Sequence, residues 1–314
     1  MKTEATGSLV TVNIDGKPLE KLIEVVSNGI GTIYRPRKIR KEADAQAYAI
    51  KVLEKAKAEA GAESLMIETE TAERISQRLV AKEVRRQENI DTVVEMAANN
   101  LAGAEVSDKP VDGDWASRFF DIVQDVSREE MKTLWAKVLA KEIERPSSYS
   151  MRTLELLRNI SFEEAELFVK LSDFVLKQNG CFVFMNGDDL DRYGLSYIEL
   201  AKLREAGLLH TGEMVTRTYT SRQADVSQSV LIYGQKVVIL TIQPNTKNIV
   251  MPVILLTQAG REIYELVEHK DNLDYLKEFA AFIKKANDTA SVKYSRILEL
   301  DEKQVRYETP LVEL

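Results

Sequence analysis

Residues 127–160 read SREEMKTLWAKVLAKEIERPSSYSMRTLELLRNI, two helices and the turn between them written with their boundary signals. Ser127 and Glu130 have the spacing of a capping box, in which a hydroxyl and a carboxylate each take a backbone N–H that the first helical turn leaves unpaired. Met131, Leu134, Trp135, Val138 and Leu139 then recur at helical spacing and form one apolar stripe. Pro146 cannot continue a helix, so the chain turns through Pro-Ser-Ser. Ser150 is placed to cap the next helix, with Leu154 and Leu157 facing inward.

The pattern extends on both sides. Ser161 and Glu164 repeat the capping-box spacing ahead of Ala165, Phe168, Leu171 and Val175. Upstream, Asp114 precedes Trp115, Phe119, Ile122 and Val123, again at helical spacing. Trp135 lies within the shared stripe and is expected to be buried. Four short helices with tight connections predict a helical bundle over residues 111–179.

The run WASRFFDIVQDVS (115–127), followed by LWAKVLAKEIERPSSYSMRTLELLRNIS (134–161), resembles the signature of a bacterial family called domain of unknown function 2806. The earlier run IGTIYRPRKIRKEADAQAYAI (30–50) is similar to that family's N-terminal segment, so the resemblance covers most of residues 22–180. It implies a bacterial or prophage-carried cytosolic protein and transfers no catalytic residue. A looser likeness to abortive-infection proteins implies a part in anti-phage defence, which is fold-level analogy.

Composition bounds the function classes. The 314 residues are 44% hydrophobic, enough for more than one core. Net charge is −7, and the segments 1–110, 111–179, 180–268 and 269–314 carry −1, −3, −2 and −1, so none is basic as a whole. No apolar run approaches the ~20 residues that span a bilayer, and MKTEATGSLVTVNIDG does not read as a secretory signal. The single cysteine, Cys181, sits in the apolar run CFVFM and reads as a buried, inert thiol. With no intrachain disulfide available, a cytoplasmic location is expected.

Residues 39–101 contain no proline and one glycine, Gly61, in a composition rich in strong helix formers. Ile39, Ala43, Ala47 and Ile50 share one face; Ile75, Leu79, Ile90, Val93, Val94 and Ala97 make a more apolar stripe. A break over 61–64 divides the segment into two helices. They either fold against the bundle or form an exposed arm for self-assembly. Just before them, Arg35, Arg37, Lys38, Arg40 and Lys41 place five cations in seven residues. Cations at a helix start oppose the macrodipole. The cluster is therefore a solvated terminus, a contact to nucleic-acid phosphate, or a peripheral contact to anionic lipid helped by Leu22, Ile23, Val25, Val26, Ile30 and Ile33.

After residue 180 the grammar changes. Gly180 is read as the stop of the third helix and CFVFM as a short strand. Ser196 and Glu199 open a helix with Ile198, Leu200 and Leu203, which ends at Gly207. Strand-like runs follow at 214–220, 229–242 and 249–256, then a helix from Thr257. The order helix, Glu-Ala-Gly-Leu-Leu, hairpin, Leu-Thr-x-Ala-Gly resembles a winged-helix domain with a long wing, over about 181–268. Such domains often read DNA with a helix in the major groove. Lys202 and Arg204 on the helix and Arg217 and Arg222 on the hairpin are the candidate phosphate contacts, beside Glu199 and Glu205. A helix over 272–286 and a strand-like tail over 291–314 complete the chain; the tail pairs either with the hairpin sheet or with another subunit.

Catalytic signatures are missing. Two histidines, His210 and His269, do not make a His-rich metal site. Asn28-Gly29-Ile30-Gly31 lacks a phosphate loop's lysine and preceding strand, and Asp188, Asp189 and Asp191 depart from the EF-hand spacing. No cofactor and no metal are expected. The sequence thus predicts a mainly α protein with an N-terminal helical arm (1–110), a bundle (111–179), a winged-helix-like α+β unit (180–268) and a C-terminal helix and tail (269–314). The leading function is a non-enzymatic homo-oligomer of the phage-defence or abortive-infection type, meeting nucleic acid or a phage component. The alternative is a winged-helix DNA-binding regulator.

Overall fold

Apolar residues at helical spacing with marked ends build the first part of the chain. The computed structural model describes residues 16–32, 69–185, 189–212, 215–300 and 304–314, and divides into two compact units, residues 1–154 and 155–314. In the first unit lie α1 (Lys17–Ile30), α2 (Thr69–Asn100), α3 (Gly113–Val123) and α4 (Glu129–Glu144). Trp115 stacks on Phe119 at 5.1 Å, and Phe119 meets Trp135 edge-on at 5.5 Å. Trp135 is fully buried, as its stripe predicts. Helix α1 approaches α3 closely at Gly29, where an added Cβ would lie 2.3 Å from the Phe120 ring. The Arg86 guanidinium on α2 grips Asp125 with two bonds, Nε to Oδ1 at 2.9 Å and a terminal nitrogen to Oδ2 at 3.0 Å.

The Pro146 turn is held by a carboxylate from the helix before it. Glu142 is buried on α4, and its two oxygens accept the backbone N–H groups of Ser147 at 2.5 Å and Tyr149 at 3.0 Å. Ser147 adopts φ 75°, a left-handed conformation those bonds stabilise. Ser150 Oγ accepts the Thr153 N–H at 3.3 Å at the start of α5 (Met151–Asn159), the capping role its position predicts. The expected box at Ser127 is not formed: the helix starts at Glu129, the cap position is Arg128, and no side chain bonds there. Glu129 and Glu130 instead occupy the first turn, where negative charge suits the helix dipole. The box at Ser161 and Glu164 is complete and opens α6 (Phe162–Ser172).

The expectation of a mainly α chain is overturned by the second unit, which makes the fold α+β. Its strands are β1 (Val175–Lys177), β2 (Cys181–Phe184), β3 (Val215–Tyr219), β4 (Ser227–Tyr233), β5 (Lys236–Ile242), β6 (Ile249–Leu255), β7 (Ser291–Leu300), β8 (Val305–Tyr307) and β9 (Val312–Glu313). They form one antiparallel sheet in the order β3-β6-β2-β1-β4-β5-β7-β8, with β9 also on β7. The hairpin expected as a wing is thus the middle of a nine-stranded sheet. Two local signals in the sequence point away from this sheet. Val175 was assigned to the third helix, but α6 ends at Ser172 and Val175 pairs with Val183, leaving Gly180 (φ 116°) in the tight turn between β1 and β2. The tail's alternation belongs to a ten-residue strand, β7, that covers the far side of β5.

Between β2 and β3 lie a 3-10 turn (Asp189–Tyr193) and α7 (Tyr197–Glu205); α8 (Gln258–Tyr264) and α9 (Leu273–Ala286) follow β6. Helix α9 seats on the sheet through Tyr275, whose hydroxyl accepts the Phe184 N–H at 2.8 Å and donates to the Phe184 carbonyl at 3.1 Å. Phe279 meets Phe184 at 5.7 Å. The Glu-Ala-Gly-Leu-Leu and Leu-Thr-x-Ala-Gly motifs lie against each other. Leu209 bridges Leu256, the Thr257 N–H bonds the Leu208 carbonyl at 3.0 Å, and Thr257 Oγ1 accepts the Gly260 N–H at 3.0 Å. A Cβ on Gly260 would stand 2.2 Å from the Leu208 carbonyl oxygen, so that position demands glycine.

Candidate functional site

Of the residues proposed from sequence to contact anions, Arg35, Arg37, Lys38, Arg40 and Lys41 lie outside the described residues. The other four are placed in different surroundings. Lys202 on α7 pairs with Glu163 on α6, and that contact raises its pKa. Arg217 on β3 is half-buried: its guanidinium lies 4.5 Å from the Phe182 ring centre and donates to Gln178. Arg204 is half-buried on α7, and Arg222 is exposed in the loop after β3, where its carbonyl accepts the Asn245 N–H at 2.9 Å. Lys202 and Arg217 therefore already have partners within the unit. No single face gathering all four is defined by these contacts.

Helix α7 presents something else. Leu200 and Leu203 are buried, whereas Tyr197 is 77% and Ile198 65% exposed. Two residues of helix are about 200° of rotation, which sets Ile198 opposite Leu200. Phe162, the first residue of α6, is 63% exposed. The Lys202–Glu163 pair and a bond from Lys170 Nζ to the Gly194 carbonyl at 3.0 Å hold α6 and α7 antiparallel. The signal that would have found this surface is the Tyr-Ile pair after Ser196, since the buried stripe has room for neither.

A second uncovered surface lies on α2. Its 32 residues make a helix about 48 Å long. From Asn89 onward it is packed, with Ile90, Val93, Val94, Ala97 and Ala98 buried. From Arg74 to Glu88 no described residue is buried, and Ile75, Leu79 and Val84 are exposed. The apolar stripe read along 75–97 is thus covered over its second half only.

The thiol, imidazole and phenol groups of the second unit are shaped by burial. Burial pushes the Cys181 thiol up to about 11, so the thiolate is suppressed at neutral pH. His269 stacks on Tyr264 at 4.3 Å, and burial lowers its pKa. Its Nδ1 is buried with no hydrogen-bond partner among the described residues. Desolvation raises the hydroxyl pKa values of Tyr233, Tyr264 and Tyr275, which serve as packing and bonding groups. Among the described residues no group of three or more His, Cys, Asp or Glu side chains is placed to hold a metal ion. A cleft of about 410 Å³ beside Glu105, Lys141, Glu144 and Arg145 is polar and open, and Lys141 there is paired with Glu144. No described helix is long and apolar enough to cross a membrane.

Comparison with curated proteins and with solved structures returns no match. A family model does match, over residues 73–280, so the shared pattern runs from α2 through the helical signature and the sheet into α9. That range reaches farther toward the C-terminus than the motif at 115–161 and takes in the six strands β1 to β6. The match covers more than half of the chain, which belongs to the family described as "Protein of unknown function (DUF2806)".

Proposed function

We propose that this is a non-enzymatic, self-associating cytoplasmic protein that works through protein contacts, in a role of the phage-defence or abortive-infection kind. The observation that carries the self-association is α2, whose first half leaves Ile75, Leu79 and Val84 in solvent. Most helical stability in proteins comes from packing an apolar face, and the described residues of the first half of α2 bury none. A second copy laid along the same stripe supplies that packing. The defence role is a fold-level analogy to abortive-infection proteins, drawn from the sequence of the helical core alone. The engaged state of Lys202 and Arg217 favours protein contact over DNA reading.

Multi-angle light scattering tests the assembly. The wild type is expected well above the 35.5 kDa of one chain, and Ile75→Glu with Leu79→Glu is expected to return it to one chain's mass. The same double variant should lose any protection against phage that the wild type confers on a bacterial host. A wild type that stays at one chain's mass, or that binds duplex DNA with affinity falling steeply in salt, contradicts the reading and favours a regulator.

A further inference from the structure

Phe162, Val169, Tyr197 and Ile198 are all exposed on the antiparallel pair α6 and α7. The Glu163–Lys202 contact lies at one end of the pair and the Lys170–Gly194 contact at the other. Val169, beside Lys170, and Ile198, one turn before Lys202, fall between them, with Phe162 next to Glu163. Single exposed apolar residues are ordinary; four on one short helical pair mark a contact surface.

The charge around this surface is one-sided. Helices α6 and α7 carry Glu163, Glu164, Glu166, Glu199 and Glu205. Of their three cations, Lys202 pairs with Glu163 and Lys170 bonds a backbone carbonyl; of the carboxylates, Glu164 closes the capping box at Ser161 and Glu199 accepts from Ser196, which leaves Glu166 and Glu205 against Arg204. The surface is apolar at its centre and acidic at its rim, and it suits a segment that interleaves cations with large apolar side chains. Within this sequence one run has that character: residues 33–41, Ile-Tyr-Arg-Pro-Arg-Lys-Ile-Arg-Lys. We propose that the α6–α7 face is a docking site for residues 33–41 of a second copy of the chain, with Ile33, Tyr34 and Ile39 meeting the apolar centre and cations of the run meeting Glu166 and Glu205. The site shares no residue with the α2 stripe, so the two contacts are tested by different substitutions.

The test uses the full chain with Arg35, Arg37, Lys38, Arg40 and Lys41 changed to glutamine, so that its own segment does not compete. A fluorescein-labelled peptide of residues 30–44 is titrated and followed by anisotropy. Saturable binding is expected, weakened about tenfold or more by Ile198→Ser or Phe162→Ser, weakened by Glu166→Lys, and falling as salt rises. Phe162 and Ile198 are exposed, so melting temperature should hold in these variants; if either fails to fold, Glu166→Lys carries the same comparison. Ile75→Glu with Leu79→Glu should leave peptide binding intact, which separates this site from the α2 assembly. Absence of peptide binding, or binding indifferent to all three face substitutions, overturns the proposal. So does a peptide that binds duplex DNA or anionic phosphatidylserine vesicles but not the chain.

Discussion

Glu142 is a buried carboxylate whose work is to hold a turn, and sequence pattern alone does not reveal it. It reads as one more polar residue near a helix end, yet it accepts two backbone N–H groups that the Pro146 turn would otherwise bury unpaired. Hydrogen bonds to charged groups contribute about 1.5–3 kcal/mol each. Glu142→Ala is therefore expected to lower stability by about 3 kcal/mol or more, read as a fall in the denaturation midpoint. Trp135 was legible, because its stripe could bury only one way. Trp135→Ala should lower stability by about 3–5 kcal/mol, while Lys141→Ala, at an exposed ion pair with Glu144, should change it by under about 1 kcal/mol. Cys181 was legible too. Native protein should resist a thiol reagent at neutral pH and become labelled only on unfolding, as its raised pKa and burial require. Rapid labelling of the folded chain would contradict that placement. At Ser127 the spacing misled, since a box needs the hydroxyl at the cap and the helix begins one residue later.

At the scale of elements, local signals located strands well and their partners poorly. The runs at 214–220, 229–242 and 249–256 became β3 to β6, because β-branched residues and turn glycines mark a strand wherever it pairs. Pairing of β5 with β7 joins residues 50 to 60 positions apart, and nothing local to either strand encodes it. The tail is therefore ambiguous in sequence, and its local signals fit a wing as well as a sheet. Ending the chain after α9 would strip β5 of its outer neighbour and turn it into an edge with Val237, Val238, Ile239 and Leu240 uncovered on one side. Such a truncation is expected to be recovered in the insoluble fraction; a soluble, cooperatively melting product would show that β7 to β9 are dispensable. The connection between α8 and α9 carries the pH dependence. Burial depresses the pKa of His269 against the opposing pull of Glu265, Asp173 and Asp271, with Lys177 acting in the same sense as burial. The folded chain therefore binds this proton less readily than the unfolded one. Its contribution is complete above the unfolded value of ~6.5 and is lost as pH falls through that value toward the folded pKa. His269→Phe, which keeps the stack on Tyr264, should flatten the loss of stability between neutral and mildly acidic pH, measured by denaturant titration.

At the scale of the whole molecule, the sequence excluded much and assigned little. Burial suppresses the Cys181 thiolate, and the family match carries a pattern without an activity. The surfaces that point to function were half legible. The stripe from Ile75 to Ala97 was visible as periodicity, but periodicity cannot tell which half another element covers. The α7 face was missed because Ile198 looks like core until the helix is given its rotation. The Lys202 and Arg217 cations were visible as residue types, whereas their engagement with Glu163 and Gln178 depends on contacts about forty residues away in sequence. The central claim is that the first half of α2 is covered by a second copy. Amide hydrogen exchange along α2, followed as the protein is diluted, tests it most directly. Residues 74–88 are expected to exchange slowly in the assembly and fast on dilution or in the Ile75→Glu, Leu79→Glu variant, while residues 89–100 stay protected throughout. Slow exchange over 74–88 that ignores both dilution and the double substitution would contradict the claim.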